Sequence, residues 1–251
     1  MFVGFNLNSN KDCSFYYERG KKMFNSNRDR IKKELDDFLL NDGSIDGTKM
    51  QEVWFPQINA DIFISHSHKD EKKAIELAGW LNYRFDLKVF IDSCVWGYAD
   101  ELLKKIDNEF CRSKDGETYI YEKRNYSTSH VHMMLSTALS MMIDRTECLI
   151  FMNTPNSVTV SDIITKTESP WIYSEIAMTK LIRNKKLEEY RPKQLEKKSY
   201  NEAFAQQIVV KYDISLEHLE ELNNHDLEFW NKNSTNKEYP LDDLYIYKAL
   251  L

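Results

Sequence analysis

Glycine is scarce, 7 residues in a chain of 251. None forms a GxGxxG turn after the first apolar strand or a GxxxxGK[ST] loop, the two arrangements whose backbone amides cradle phosphates. This argues against an ordinary dinucleotide-binding dehydrogenase and a P-loop NTPase, and any nucleotide has to be gripped by side chains and helix starts. No apolar run approaches the ~18 residues that span a bilayer, which argues against a membrane partner. The beginning, MFVGFNLNSNKD, lacks the basic stretch, apolar core and small-residue cleavage site of a secretory signal. Cys13, Cys94, Cys111 and Cys148 are scattered without paired spacing, which points to reduced thiols in a cytoplasm rather than a disulfide framework. Positive charge is in deficit, 34 Lys and Arg against 40 Asp and Glu, for a net charge of −6. That is the wrong balance for a chain whose main partner is a nucleic-acid backbone. Internal repeats and low-complexity segments are missing too.

What is present is an ordinary globular composition, 42% hydrophobic and 29% charged. Residues 21–40 read as an amphipathic helix, 41–47 (NDGSIDG) as turn, and Trp54, Phe55 and Pro56 as a strap onto the next unit. Residues 1–59 are therefore expected to form an N-terminal helical extension, and 60–251 an α/β domain. DIFIS (61–65) is a short apolar run that turns polar abruptly at SHSHKDE, as a buried parallel strand ends at a functional edge. A helix follows, with Ala74, Ala78, Leu81 and Phe85 on one stripe, then a strand at 88–91 and a helix at 100–110. Residues 111–129 are polar, tyrosine-rich and without a period, and read as an insertion. A helix at 130–144 and a strand at 147–152 restore the rhythm, which predicts a doubly wound parallel sheet. Beyond 186 the reading places a solvated charge run, a strand at 207–212, a helix at 215–230 and a strand at 244–247.

The stretch PWIYSEIAMTKLIR, 170–183, carries a chemical misfit. Trp171, Glu175, Met178 and Ile182 share one helical face at steps of four, three and four. An apolar residue at 175 would gain roughly 2 kcal/mol by burial, whereas an unpaired buried carboxylate costs several kcal/mol. Either that face opens onto a cleft, a cation answers Glu175, or the glutamate is held near the helix start, where the dipole favours negative charge.

In open parallel sheets ligands sit beyond the carboxyl ends of the strands, here Ser65 to Ser67, Asp92 to Gly97 and Asn153 to Ser157. DIFISHSHKDE with its helix, KVFIDSCVWGYADELLKKID, ECLIFMNTPNS and SPWIYSE occur in that order. Together, from about 60 to 212, they resemble the bacterial Toll/interleukin-1 receptor (TIR) domain.

The resemblance implies a flavodoxin-like sheet and, for many bacterial members, an NAD+ glycohydrolase or cyclase that splits the nicotinamide–ribose bond, with NAD+ as substrate and no cofactor or metal. It matches Glu175 to the catalytic glutamate and Trp171 to the aromatic residue one turn before it. Ser65 and His66 match the strand end lining the pocket. Asp92 and Trp96 match the loop that shapes the pocket and mediates self-association through TIR surfaces. Stand-alone TIR proteins of antiphage systems such as Thoeris imply a nucleotide signal read by a separate effector protein. Other TIR domains are interaction modules only, so a non-catalytic scaffold stays open. The pairs His66-x-His68 and His130-x-His132 are poor metal candidates, because the first pair would splay apart on strand geometry and the C-x-x-C spacing of structural zinc sites is missing. Asp92 as a phosphoacceptor lacks the acidic partners that role needs, and no nucleophile elbow supports a serine or cysteine hydrolase.

Overall fold

A computed structural model describes residues 1–28, 35–96, 99–161, 164–167, 169–182, 185–190 and 212–251. The strands are β1 (Val3–Asn8), β2 (Ile62–Ser65), β3 (Val89–Phe90), β4 (Cys148–Met152), β5 (Thr159–Ser161), β6 (Ile164–Thr167), β7 (Tyr212–Asp213) and β8 (Glu220–Asn223). The helices are α1 (Tyr17–Arg28), α2 (Gly47–Trp54), α3 (Glu71–Phe85), α4 (Asp92–Val95), α5 (Ala99–Phe110), α6 (Tyr121–Arg145), α7 (Pro170–Leu181), α8 (Asn224–Asn233) and α9 (Pro240–Tyr247). An all-parallel five-stranded sheet runs in the order β3-β2-β4-β1-β8, and β5-β6-β7 form a small antiparallel sheet. Ile62, Phe63 and Ile64 of β2 and Leu149 and Phe151 of β4 are fully buried, as strands covered by helices on both faces must be. Among the described residues no helix is long and apolar enough to cross a membrane.

The first strand of the sheet is not DIFIS. Val3–Asn8 lies between β4 and β8, with Phe5 opposite Ile150 and Glu220. Residues 1–59 therefore do not stand apart as a helical extension, because their first segment supplies a central strand. The strand escapes an apolar count because Asn6 and Asn8 interrupt it. Their amide groups donate to the Glu221 carboxylate at 2.8 and 3.4 Å, an arrangement possible only once β1 and β8 are paired.

Three other expectations change. The expected insertion 111–129 is a short turn, closed by an Arg112–Tyr119 bridge around Gly116, followed by the first turns of α6. Residues 121–126 are exposed, so their helix carries no apolar stripe to betray it. The expected helix at 215–230 divides into β8 and α8, with Asn223 capping α8 by accepting from the amides of His225 and Asp226. The tyrosine-rich run at 244–247 is helical rather than extended, because Pro240 opens α9 and Asp242 and Asp243 occupy its first turn. Of the expected strand at 207–212, residues 207–211 lie outside the described residues, and Tyr212 pairs with Thr167 in the small sheet. Gly97 and Arg183 also lie outside them.

The helices sort into two packed sets, α1 with α3 and α4, and α6 with α2, α5 and α7. Trp230 of α8 stacks on Phe85 of α3 with ring centroids 3.9 Å apart, and α9 packs beside α8. The expected strap is buried through Trp54 and Phe55.

Candidate functional site

The start of α7 is fixed locally. Pro170 takes the first helical position, where its missing N–H costs nothing, and the Ser169 hydroxyl accepts from the Ile172 amide. From this start the buried ridge is Ile172, Glu175, Ile176 and Thr179, with Trp171 at its half-buried margin. Glu175 thus sits at the middle of the helix face that packs inward, 4% exposed. The Ser65 hydroxyl, at the carboxyl end of β2, donates a short hydrogen bond to its Oε2.

Among the described residues no cation answers Glu175. Burial pushes its carboxyl well above the ordinary carboxylate range, the Asp92 charge pushes the same way, and the Ser65 hydroxyl offsets part of the rise. The shift favours the neutral acid, which is how a buried carboxyl without a cation avoids the cost of desolvating its charge. A cavity of about 200 Å³ is lined by Asp61, Leu87, Glu147, Tyr190 and Leu241, and one of about 110 Å³ by Tyr17, Phe24, Ile75 and Cys94. Neither reaches Glu175 or His66.

His66 follows Ser65 directly and is 8% exposed. Both of its ring nitrogens are buried and neither has a hydrogen-bond partner. Burial holds the imidazole below the ordinary histidine value, while the Asp92 charge, the largest opposing influence, works to raise it. Asp92 is therefore within electrostatic reach of both Glu175 and His66. Ser65, His66, Asp92 and Glu175 gather at the ends of β2, β3 and α7's inner face.

The two tryptophans fall elsewhere. Trp96 is 2% exposed and belongs to the core, edge-on to Phe55 and Phe90 at 5.6 and 4.9 Å, with its indole N–H donating to the Pro56 carbonyl at 2.9 Å. Its large apolar surface and single donor are both satisfied there. Trp171 meets His132 of α6 edge-on at 5.6 Å. Burial lowers the His132 pKa against the pull of Asp100.

One buried carboxylate beside the site was not singled out from the sequence. Asp70, 2% exposed, accepts from Thr154 Oγ1 at 2.6 Å, Lys73 Nζ at 3.0 Å and Asn156 Nδ2 at 3.1 Å, tying the segment after β2 to the turn after β4. Burial would raise its pKa, but these hydrogen bonds together hold it below the ordinary value. The signal was available as the one acid closing SHSHKD, opposite the polar NTPNS end.

The arrangement can do two things chemically. Two carboxyl groups with no matching cation among the described residues form a place where positive charge would be stabilised, and an unpartnered imidazole offers a donor and an acceptor to whatever enters. Among the described residues no group of three or more His, Cys, Asp or Glu side chains is arranged to hold a metal. No protein-family model, curated protein or solved structure matches this chain.

Proposed function

We propose that the chain is a TIR-type NAD+ glycohydrolase or cyclase acting through Glu175. The observation that carries this reading is the gathering of Ser65, His66, Asp92 and Glu175 next to the switch point of the sheet, with no cation among the influences on Glu175. In the order β3-β2-β4-β1-β8 the connections leave β2 toward one edge through β3 and then cross to β4, so the crevice between β2 and β4 is the ligand position of a flavodoxin-like sheet. NAD+ brings the missing positive charge in its nicotinamide ring. That charge beside it favours the ionised form of Glu175, against the burial and the Asp92 charge that oppose ionisation. Nicotinamide leaves as a neutral base that needs no general acid, and positive charge moves onto the ribose. A carboxylate held against that charge is worth more in a dry site than in water. The buried state of Glu175 means that substrate entry requires a rearrangement around Ser65 and α7.

A non-catalytic TIR scaffold is the second reading, favoured by one specific observation. Glu175 is sealed by Ser65 in this structure, as a structural carboxyl would be. Incubation of purified protein with NAD+, following nicotinamide and the nucleotide product, separates the two. Glu175→Ala is expected to lower turnover by on the order of a hundredfold or more while the fold persists. A wild-type rate in the folded variant removes Glu175 from the chemistry, and no release from either protein leaves the scaffold. The product, linear or cyclic, is then tested as a filtrate on candidate effectors encoded beside the chain, because the signalling version proposed from the antiphage resemblance needs one to respond.

A further inference from the structure

His66 is the second group at this site that folding leaves unanswered. A neutral imidazole carries one N–H and one lone pair, and both of its nitrogens are out of water without a partner. Each unmade buried hydrogen bond costs about 1–3 kcal/mol. The contrast with other histidines is clear: His218 bonds Thr179 Oγ1 at 2.7 Å and His225 meets the Tyr247 hydroxyl at 3.3 Å. No hydrogen bond within the fold accounts for the polarity of the His66 ring.

The groups around it define what it can do. The charges of Asp92 in α4 and Glu71 in α3 reach it, as does His68 in the turn after β2, with the two imidazole centroids 6.3 Å apart. The Ile64 carbonyl adds a slight further pull outside hydrogen-bond geometry. Burial keeps the ring neutral, so that one nitrogen remains a free base, while Asp92 stands by to stabilise the imidazolium once a proton arrives. Through Asp92, His66 shares the electrostatic field of Glu175.

We propose that His66 is the general base that takes the proton of the nucleophile attacking the ribose C1′, with Asp92 stabilising the imidazolium so formed; this rests on the NAD+ reading above. The C1′–N bond breaks, and its electron pair stays on the nicotinamide nitrogen, which becomes neutral. A lone pair of water, or of a hydroxyl in the cyclising case, forms the new C1′–O bond. The O–H proton passes to the free ring nitrogen of His66 and from there to solvent. Glu175 and His66 then have separate roles, since one stabilises charge at C1′ and the other removes the proton that the new bond makes acidic.

The test measures kcat and KM for nicotinamide release across pH in wild type, His66→Gln, His66→Ala and Glu175→Gln. Loss of a general base should lower kcat by on the order of a hundredfold or more, with little change in KM. The wild-type acidic limb, placed below the ordinary histidine value of about 6.5 by burial, should vanish in His66→Gln. Added imidazole should restore part of the His66→Ala rate. A His66→Gln enzyme that keeps its kcat and its acidic limb overturns the role of His66, and when Glu175→Gln is inactive in the same experiment the NAD+ reading survives. No nicotinamide release from wild type overturns both. Should the His66 variants not fold, the ring is titrated by NMR in the wild-type protein, and a ring pKa that differs from the kinetic limb overturns the proposal.

Discussion

Burying Glu175 as a neutral acid reverses the pH dependence that a carboxylate usually lends to stability. Because its folded pKa is raised, the native state keeps a proton that the unfolded chain has released, so its contribution is fully present below the unfolded value of about 4.3 and is lost as pH rises toward the folded one. Glu175→Gln, which keeps the shape and cannot ionise, should be more stable relative to wild type at pH 7.5 than at pH 5, read as the difference in urea midpoint. An equal difference at both pH values would mean that the carboxyl is not held neutral. His66 works in the opposite sense: its lowered folded pKa means that stability is lost as pH falls below about 6.5, where the unfolded chain takes the proton first. Glu175 was legible in the sequence as a carboxylate amid Trp171, Met178 and Ile182. Its partner was not, because Ser65 lies 110 residues away and helical spacing contains no information about which strand end a helix face meets. Trp96 shows the converse limit. A tryptophan in a loop beside a strand end reads as a pocket wall, and its contacts with Phe90 and with Phe55, from the segment expected to be an appendage, show that it is core.

At the scale of elements, two of the few glycines serve close contact between helices. A Cβ on Gly79 of α3 would lie 2.2 Å from the Tyr16 carbonyl oxygen and 2.8 Å from the Gly20 amide nitrogen, and one on Gly20 of α1 would lie 2.1 Å from the Ile75 carbonyl oxygen. The two helices cross with backbone against backbone, and neither carbonyl can move without shifting its helix. Gly79→Ala should therefore cost about 1–3 kcal/mol, the usual penalty of overpacking, despite alanine's better helix propensity. Gly47→Ala is the control. Its Cβ would meet only the terminal methyl of Met134 at 3.3 Å, at the first residue of α2, so it should be neutral or stabilising. Thermal denaturation of the two variants checks both, and a Gly79→Ala protein as stable as Gly47→Ala would show that α1 does not dock this closely. Legibility follows the same logic. DIFIS, KVFI and ECLIFM were readable because strands buried on both faces are apolar throughout. β1 and β8 carry asparagine and glutamate that satisfy one another across strands, so neither looks like a strand until its neighbour is known.

For the whole molecule, β3, β2 and β4 take the first three places of a flavodoxin-like order, and β1 and β8 fill the fourth and fifth. The chain reaches this arrangement by an unusual path, its first strand standing where a strand after β4 would be expected. Rerouting that half of the sheet leaves the crevice between β2 and β4 unchanged, which is why Ser65, His66 and Asp92 stand out as strand ends in the sequence while β1 and β8 do not. The site so placed is closed and short of positive charge, and this leads to a prediction about the molecule's equilibrium with ligand. A cationic ligand that lets Glu175 ionise and gives His66 a partner binds only the folded chain, and at a hundredfold excess over Kd contributes about 2.7 kcal/mol. In a chain of this length that corresponds to a rise in Tm of about 5–10 °C. A carbocyclic NAD+ analogue, whose C1′–N bond is not cleaved, should give such a rise in wild type, whereas NADH, with the same outline and an uncharged ring, should give much less. In Glu175→Gln the difference between the two ligands should shrink, because the amide has no charge to offer the pyridinium. Equal shifts from both ligands in wild type would mean that recognition rests on the shared nucleotide and that the Glu175 and Asp92 carboxyls do not select for charge.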